Sequence, residues 1–158
     1  MVTGTGKFKL SLLALIAAIT VSCNPEIMYF DHADFRNNEW DRQNKPVFEA
    51  EITDTLTPAR VDINLRTGSD YPYRNIYLFV STFAPGGEQV TDTLEYMLAD
   101  ERGRRYGSGR GDIRELNLSY RQNVYFPESG TYRFVIEHAM RTEVLKGVYD
   151  IGIKIRRQ

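Results

Sequence analysis

Apolar residues recur at every second position along much of the chain, which is the period of a β-strand with one buried and one solvent-facing side. The ranges with this alternation are 48–52, 61–65, 94–98, 132–136 and 149–155. Residues 76–80 are apolar on both sides, which predicts a central strand with a neighbour on each side. Residues 116–120 and 124–126 are weaker candidates, and the second of these ends at Pro127.

Turn-forming residues separate these candidate strands, as at Pro85-Gly86-Gly87 and at 127–130. We expect 132–136 to be a hairpin partner of the strand before that second turn. The glycine-rich range 103–111 predicts a long loop. Only 140–146 has helix-like spacing, and we expect a helical turn there, packed on the end of the domain. The fold class predicted is all-β: a single antiparallel β-sandwich of seven or eight strands.

The N-terminus has the layout of a bacterial lipoprotein export signal. Lys7 and Lys9 precede an apolar run over 10–21, and Cys23 follows directly after Ser22. This run is shorter than the about 20 apolar residues that span a bilayer. We therefore expect a signal peptide over 1–22 and membrane attachment through acyl chains on Cys23. The alternative is an ordinary secretory signal or an uncleaved anchor that leaves a free thiol.

Domain organisation follows from where the alternation begins. Residues 23–44 are polar and irregular in pattern, so we expect an acylated tether that becomes ordered near Trp40, followed by the β-sandwich over 45–158. The length after the signal suits one domain with one core.

Composition and motifs exclude several function classes. With 20 basic and 21 acidic residues, the net charge of −1 provides no field to attract nucleic acid. The single cysteine excludes an internal disulfide, and neither His32 nor His138 has a partner at metal-ligand spacing. Nucleophile elbow, Walker loop and paired catalytic carboxylates are all missing from the sequence. We predict no metal, no cofactor, no small-molecule substrate and no enzymatic activity.

Aromatic and polar residues occur together in a way that suits recognition. These are Trp40, Arg66, Tyr71, Tyr73 and Asn75. Flat rings beside hydrogen-bonding groups can dock a protein partner or stack on a sugar, and they can also simply cap a sandwich edge. The loop that carries Arg102, Arg104, Arg105 and Arg110 is locally basic. It either contacts an acidic partner or is simply solvated.

The order of motifs along the mature chain resembles a known family. It is carried by Trp40, by the range 66–78, by 92–94, and above all by 138–155, HAMRTEVLKGVYDIGIKI. That last range is similar to the signature His-x-Met-Arg…Leu-x-Gly-Val-x-Asp-Val-Gly, with Ile151 in place of the usual valine. The family is that of the gliding motility lipoprotein GldH of Bacteroidota.

The resemblance implies a non-enzymatic cell-envelope lipoprotein associated with the gliding machinery, which is linked to type IX protein secretion in that phylum. Its expected partners are the membrane, through Cys23, and other envelope or gliding proteins. Only Cys23 carries a defined role, lipid attachment. The remaining motif members that transfer are Arg66, Tyr73, Asn75, Arg141 and Asp150. The alternative function is a glycan-binding envelope lipoprotein that stacks sugars on Trp40, Tyr71 and Tyr73.

Two smaller signals concern location. Asp54-Thr55-Leu56 and Asp92-Thr93-Leu94 fit the short pattern that exported Bacteroidota proteins use for O-glycosylation, which makes Thr55 and Thr93 candidate sites. The residues that follow Cys23 lack the acidic cluster of a surface-export signal, which favours a periplasm-facing domain.

Overall fold

The computed structural model describes residues 26–158, which form ten β-strands and one 3-10 turn. The strands are β1 (Ile27–Asp34), β2 (Glu39–Asp41), β3 (Val47–Ile52), β4 (Ala59–Thr67), β5 (Asn75–Phe83), β6 (Gln89–Met97), β7 (Arg114–Val124), β8 (Gly130–His138), β9 (Val144–Lys146) and β10 (Val148–Arg157), with the turn at Arg36–Asn38. In this described part of the chain, no helix is long and apolar enough to cross a bilayer.

Two four-stranded antiparallel sheets make the sandwich. Sheet 1 has the order β1-β10-β4-β7, and sheet 2 has the order β3-β8-β5-β6. A two-stranded small sheet, β2-β9, lies beside them. The expected all-β antiparallel sandwich is confirmed.

The alternation seen in the sequence builds the core between the sheets. In β3, for example, Phe48, Ala50 and Ile52 are buried, whereas the residues between them are exposed. Inward-facing residues of both sheets join one hydrophobic cluster; its fully covered members include Ile63, Leu65, Ile76, Leu78, Val80, Ile136, Ile151, Ile153 and Ile155. Burying such side chains contributes about 1.5–3 kcal/mol each, which makes the cluster the main source of stability.

The expectation of an irregular tether over 23–44 was wrong for its described part, residues 26–44. Residues 27–34 form β1, which pairs along its whole length with β10, and residues 39–41 form β2. As an edge strand, β1 has one neighbour, and its exposed positions carry polar residues such as Asp31, His32 and Asp34. An edge strand with so little buried surface leaves a weak apolar alternation, so the sequence pattern did not reveal it.

Two other expectations were wrong in the second half of the chain. Residues 140–146 contain no helical turn, because Val144–Lys146 forms β9 opposite β2. The strand β8 does not form a hairpin with the strand before it, because the chain crosses from sheet 1 to sheet 2 around Pro127. Instead, β8 lies between β3 and β5. Turn residues indicate where a strand ends but not which sheet the next strand joins.

The strand predicted to be central, β5, does have a neighbour on each side, β8 and β6. Its outward side chains are nevertheless not covered: Tyr77 is 38% exposed and Phe79 is 39% exposed. The two aromatic residues thus lie on the outer surface of sheet 2, although the strand is central in that sheet.

Trp40 closes one end of the sandwich. Its side chain is fully buried, stacks on Phe35 with ring centroids 4.8 Å apart, and meets the His138 ring edge-on at 5.2 Å. The indole Nε1–H donates a hydrogen bond to the Asn44 carbonyl at 2.7 Å. One side chain thereby ties the small sheet to sheet 2 and to the chain that enters β3.

Truncation of this side chain tests how much the end closure contributes. We expect Trp40→Ala to lower the free energy of unfolding by about 3–5 kcal/mol, because it opens a large cavity and removes a buried hydrogen bond. Chemical denaturation of the purified protein measures this change. As a control, Tyr125→Ala removes a ring that is 57% exposed and should change stability by less than about 0.5 kcal/mol. Equal stabilities of the two variants would contradict the role given to Trp40.

Candidate functional site

Two adjoining cavities open on the surface where β5 begins and β8 ends. The first, of about 600 Å³, is walled by Tyr73 and Tyr77. The second, of about 370 Å³, extends toward Arg42, Phe79, Glu137 and His138. Both are lined by Ala139, Met140 and Arg141. We call the pair, with these nine lining residues, the Arg141 cleft.

Hydrogen bonds from two directions hold the wall of the Arg141 cleft in place. The Ala139 N–H donates to the Tyr77 carbonyl at 2.8 Å, and the Tyr77 N–H donates to the Met140 sulfur at 3.3 Å. From the turn that directly follows β2, Arg42 Nη2 donates to the carbonyls of Met140 at 2.5 Å and Thr142 at 2.8 Å. The segment that carries Arg141 is therefore fixed in shape, which lowers the entropy cost of binding there.

Exposed apolar side chains border the cleft. Tyr73 is 41% exposed and Met97 is 46% exposed, and the outward rings of Tyr77 and Phe79 lie on the same side of sheet 2. Exposed apolar residues on the surface of a monomer are usually scattered singly. A group of them beside a cleft therefore indicates an interaction site. Aromatic residues and arginine are also the types most enriched at binding hot spots.

Tyr71 and Asn75 support the rim of the cleft. The Tyr71 hydroxyl donates to the Asn75 carbonyl at 2.8 Å, and burial raises the pKa of this phenol well above its usual value. Asn75 Nδ2 in turn donates to Glu95 Oε1 at 2.7 Å. The Tyr71 backbone can approach this close because Gly147 has a φ of +74° and no side chain; a Cβ there would lie 2.4 Å from the Tyr71 nitrogen.

The three rings expected to form a sugar-stacking platform do not form one. Trp40 is buried in the core, and the rings of Tyr71 and Tyr73 meet at 77° with centroids 6.0 Å apart. A sugar needs an exposed flat face, and of these three rings only Tyr73 is exposed.

The remaining sequence-predicted residues lie elsewhere. Arg66 belongs to β4 and pairs with Asp150 of β10 on the outer face of sheet 1. Thr93 is exposed on β6, and Thr55 is half-buried in the turn before β4. Cys23 lies outside the described residues 26–158. The structure therefore brings Tyr73 and Arg141 together in one cleft. Tyr71, Asn75 and Trp40 lie behind this cleft, whereas Arg66 lies on the other sheet.

Both aspartates of the candidate O-glycosylation tripeptides have structural contacts. Asp54 accepts hydrogen bonds from the Leu56 and Thr57 amides at 3.1 and 3.0 Å, and these bonds lower the pKa of its carboxyl to about 2. Asp92 accepts from the Tyr120 hydroxyl at 2.7 Å and from Arg121 at 2.6 Å. Modification of Thr55 and Thr93 remains a prediction.

His138, a member of the 138–155 motif, is the unusual polar group of the cleft wall. Its side chain is fully buried, and neither ring nitrogen has a hydrogen-bond partner among residues 26–158, although the Glu143 and Trp40 carbonyls lie nearby. The pKa of this imidazole lies below its usual value, mainly because the ring is buried. The positive charge of Arg42 lowers the pKa further. The ring is therefore neutral near pH 7, as a buried histidine should be.

Sequence reasoning missed several residues of the cleft. Tyr77 and Phe79 were predicted only as members of a central strand, and Arg42 was placed in an irregular tether. Met140 was assigned to a helical turn. For Met140 and His138 the signal was present in the 138–155 motif, but its role in a binding surface required knowing that β8 ends beside β5.

A protein-family model described as GldH lipoprotein matches residues 27–155 of this chain. A gliding motility lipoprotein GldH homolog from Christiangramia forsetii is 33% identical over 143 residues, which cover 86% of this chain and 87% of that protein. The gliding motility lipoprotein GldH of Flavobacterium johnsoniae is 30% identical over 154 residues, which cover 93% of this chain and 95% of that protein.

Likeness to solved structures is weak. A structure of infectious bursal disease virus, strain Gx, overlaps 84% of this chain with a TM-score of 0.33 and 9% identity. The VP2 subviral particle of the same virus overlaps 82% with a TM-score of 0.34 and 11% identity. This chain spans 30% of the length of each viral chain. We draw nothing from a likeness at these TM-scores.

The environment of His138 predicts how stability depends on pH. Below its ordinary pKa of 6.5, the unfolded chain binds a proton on this imidazole that the folded chain does not. The free energy of unfolding therefore falls as the pH drops below 6.5, by up to about 1.4 kcal/mol per pH unit, until the lower folded-state pKa is reached. We expect His138→Phe, which retains a ring beside Trp40, to lose this part of the acid dependence.

Denaturation curves of the wild type and the variant between pH 7.5 and 5.5 measure the difference. His32→Gln serves as the control, because the His32 side chain is 46% exposed, and it should keep the wild-type dependence. Parallel pH profiles for the wild type and His138→Phe would refute the assignment.

Proposed function

Because this chain belongs to the GldH lipoprotein family, we propose that it is a gliding-motility lipoprotein of the cell envelope that works by binding another protein, without catalysis. The Arg141 cleft is the observation that carries this proposal. It combines a fixed backbone, exposed aromatic side chains and an exposed cation in one place.

The charges around the cleft indicate the chemistry of the partner. Glu137, the acid of the cleft lining, is already paired with Lys45 Nζ at 2.7 Å. The exposed guanidinium of Arg141 is thus left without a neutralising acid in the lining. A matching partner segment presents a carboxylate to Arg141 and an apolar side chain between Tyr73 and Tyr77. Complementary charge of this kind sets specificity and the rate of association.

The lining of the cleft favours binding over catalysis. A general base must reach the proton that it removes, and His138 is fully buried beneath the wall. Glu137 is held in its ion pair, and the remaining lining residues are aromatic, aliphatic or cationic. Such a surface is suited to hold a side chain or a peptide rather than to break a bond.

Attachment through Cys23 would hold the domain close to the membrane. The first strand starts at Ile27, four residues after Cys23, so an extended connection reaches at most about 14 Å. That reach is much shorter than a tether to residue 44 would give. Stable attachment requires more than one acyl chain, because a single chain binds reversibly. We place the domain on the periplasmic side, and its partner among the gliding or type IX secretion proteins.

Loss of the acylated residue tests the anchoring. Cys23→Ser should move the protein from the membrane fraction to the soluble fraction, with its fold retained, because Cys23 precedes the first strand, β1, in the sequence. Fractionation of cells that express each form, followed by circular dichroism of the soluble product, makes the measurement. Membrane retention of the variant at the wild-type level would contradict lipid anchoring.

Charge reversal at the cleft tests the binding proposal. We expect Arg141→Glu, in a tagged protein crosslinked in cells and purified from membranes, to reduce recovery of the bound partner at least about tenfold, because it sets a carboxylate against the partner's carboxylate. Tyr73→Ala should reduce recovery too, through the lost aromatic contact. Quantitative mass spectrometry of the purified material reads out both variants.

Arg110→Glu is the matched control, since Arg110 is an exposed arginine in the loop before β7, away from the cleft lining. It should leave recovery unchanged. If Arg110→Glu and Arg141→Glu reduce partner recovery equally, the net charge of the protein and not the Arg141 cleft determines binding. Undiminished recovery with Arg141→Glu and Tyr73→Ala would place the partner elsewhere.

A further inference from the structure

A separate pocket of about 250 Å³ opens on the outer face of sheet 1. We call it the Asn64 pocket; its lining residues are Phe30, His32, Asn64, Arg66, Glu115 and Asp150. It shares no residue with the Arg141 cleft. Its volume lies just below the about 300–1,000 Å³ of typical small-molecule sites, so it suits a single ring rather than a long ligand.

A glycine, Gly152, lies between two of the residues that line the pocket. Across sheet 1, Gly152 pairs with His32 of β1 on one side and with Asn64 of β4 on the other. A Cβ at Gly152 would lie 2.5 Å from the Asp31 carbonyl oxygen and 3.0 Å from the His32 Cβ. Any side chain at this position would collide with β1, so glycine is needed for the close packing between the two strands that carry His32 and Asn64.

Asn64 is the polar group that points to a ligand. Its side chain is 94% covered, since the residue is 6% exposed. Asn64 Nδ2 donates to Asn117 Oδ1 at 2.7 Å, but among residues 26–158 the Asn64 Oδ1 has no hydrogen-bond partner. Buried acceptors are nearly always paired in folded proteins, so an unpaired one on a residue that lines a cavity indicates a missing donor.

The other polar groups around the pocket are also mostly acceptors. Arg66 Nε donates to Asp150 at 2.5 Å, and Arg66 Nη2 lies 3.8 Å from Asp34. Glu115 is the third carboxylate near the Arg66 guanidinium, after Asp150 and Asp34. The surplus of negative charge disfavours an anion. A ligand that fits must therefore donate hydrogen bonds.

One side of the pocket is flat and apolar. Phe30 is 51% exposed, and its ring stacks on His32 with centroids 5.9 Å apart and planes at 19°. The Lys154 ammonium lies 5.4 Å from the centroid of the Phe30 ring. A cation is thus already present at this ring, while the stacked pair still offers a broad exposed surface.

We propose that the Asn64 pocket binds a neutral saccharide unit. The hydroxyl groups of a pyranose ring can donate to Asn64 Oδ1 and to the carboxylates, and the C–H face of the ring can lie on Phe30 and His32. A protonated amine would satisfy the acceptors but would leave the aromatic surface uncovered. This site differs in every residue from the stacking platform expected at Trp40, Tyr71 and Tyr73.

Binding is measured with the purified protein and millimolar ligand by saturation-transfer NMR, and the binding site is located from chemical-shift changes of the protein. The probes are neutral hexoses and N-acetylhexosamines, with ethanolamine and lysine amide as cationic probes. We expect at least one sugar to bind, with shifts at Phe30, His32 and Asn64. Phe30→Ala should weaken this binding about tenfold, and Tyr125→Ala, which removes an exposed ring elsewhere, should leave it unchanged.

Asn64→Leu distinguishes a ligand site from a structural residue. It removes the unpaired acceptor with little change of volume, so we expect it to abolish sugar binding while the midpoint of chemical denaturation stays the same or rises. Binding by cationic probes alone, no binding by any sugar tested, or sugar binding that survives both Phe30→Ala and Asn64→Leu would overturn the proposal. Because the two sites share no residue, failure here leaves the Arg141 cleft untouched.

Discussion

The shape of the Arg141 cleft depends on the packing of the buried Trp40 indole. This indole joins the small sheet to sheet 2 through Phe35, His138 and the Asn44 carbonyl. Two residues further along the chain, Arg42 donates to the carbonyls of Met140 and Thr142. The chain that carries Arg141 is therefore held by the same short segment that closes the sandwich. A change in the core at Trp40 would be transmitted directly to the shape of the cleft.

The two outer faces of the sandwich offer different chemistry. Sheet 2 presents aromatic side chains next to the exposed cation of Arg141, which suits an acidic and apolar protein segment. Sheet 1 presents carboxylates and the unpaired amide oxygen of Asn64, which suits a ligand that donates hydrogen bonds. Since the faces lie on separate sheets, both can be occupied at the same time. An anchored lipoprotein with this arrangement could contact a protein partner and an envelope saccharide together.

How far the sequence predicts the structure depends on how each strand is buried. The strands β3, β4, β8 and β10 were predictable because one side of each faces a continuous core, which imposes strict alternation. The edge strand β1 and the three-residue strands β2 and β9 bury too little to leave that pattern. Sheet assignment was not predictable either, because β7 and β8 are neighbours in sequence but lie in different sheets.

The sites follow the same rule. Tyr73 and Arg141 could be proposed from residue type and motif, whereas Tyr77 and Phe79 were missed because an apolar run looks the same whether or not its outer side is covered. The Asn64 pocket could not be found, since it depends on the register that places Gly152 between His32 and Asn64.

Site-specific photocrosslinking in living cells would test most directly whether the Arg141 cleft contacts another protein. A photoreactive phenylalanine derivative is placed at Tyr73, at Tyr77, and at Tyr125 as an exposed position away from the cleft. Our account predicts a crosslinked product of one discrete mass from the first two positions and none from Tyr125. Crosslinks from Tyr125 alone, or equally from all three positions, would contradict it.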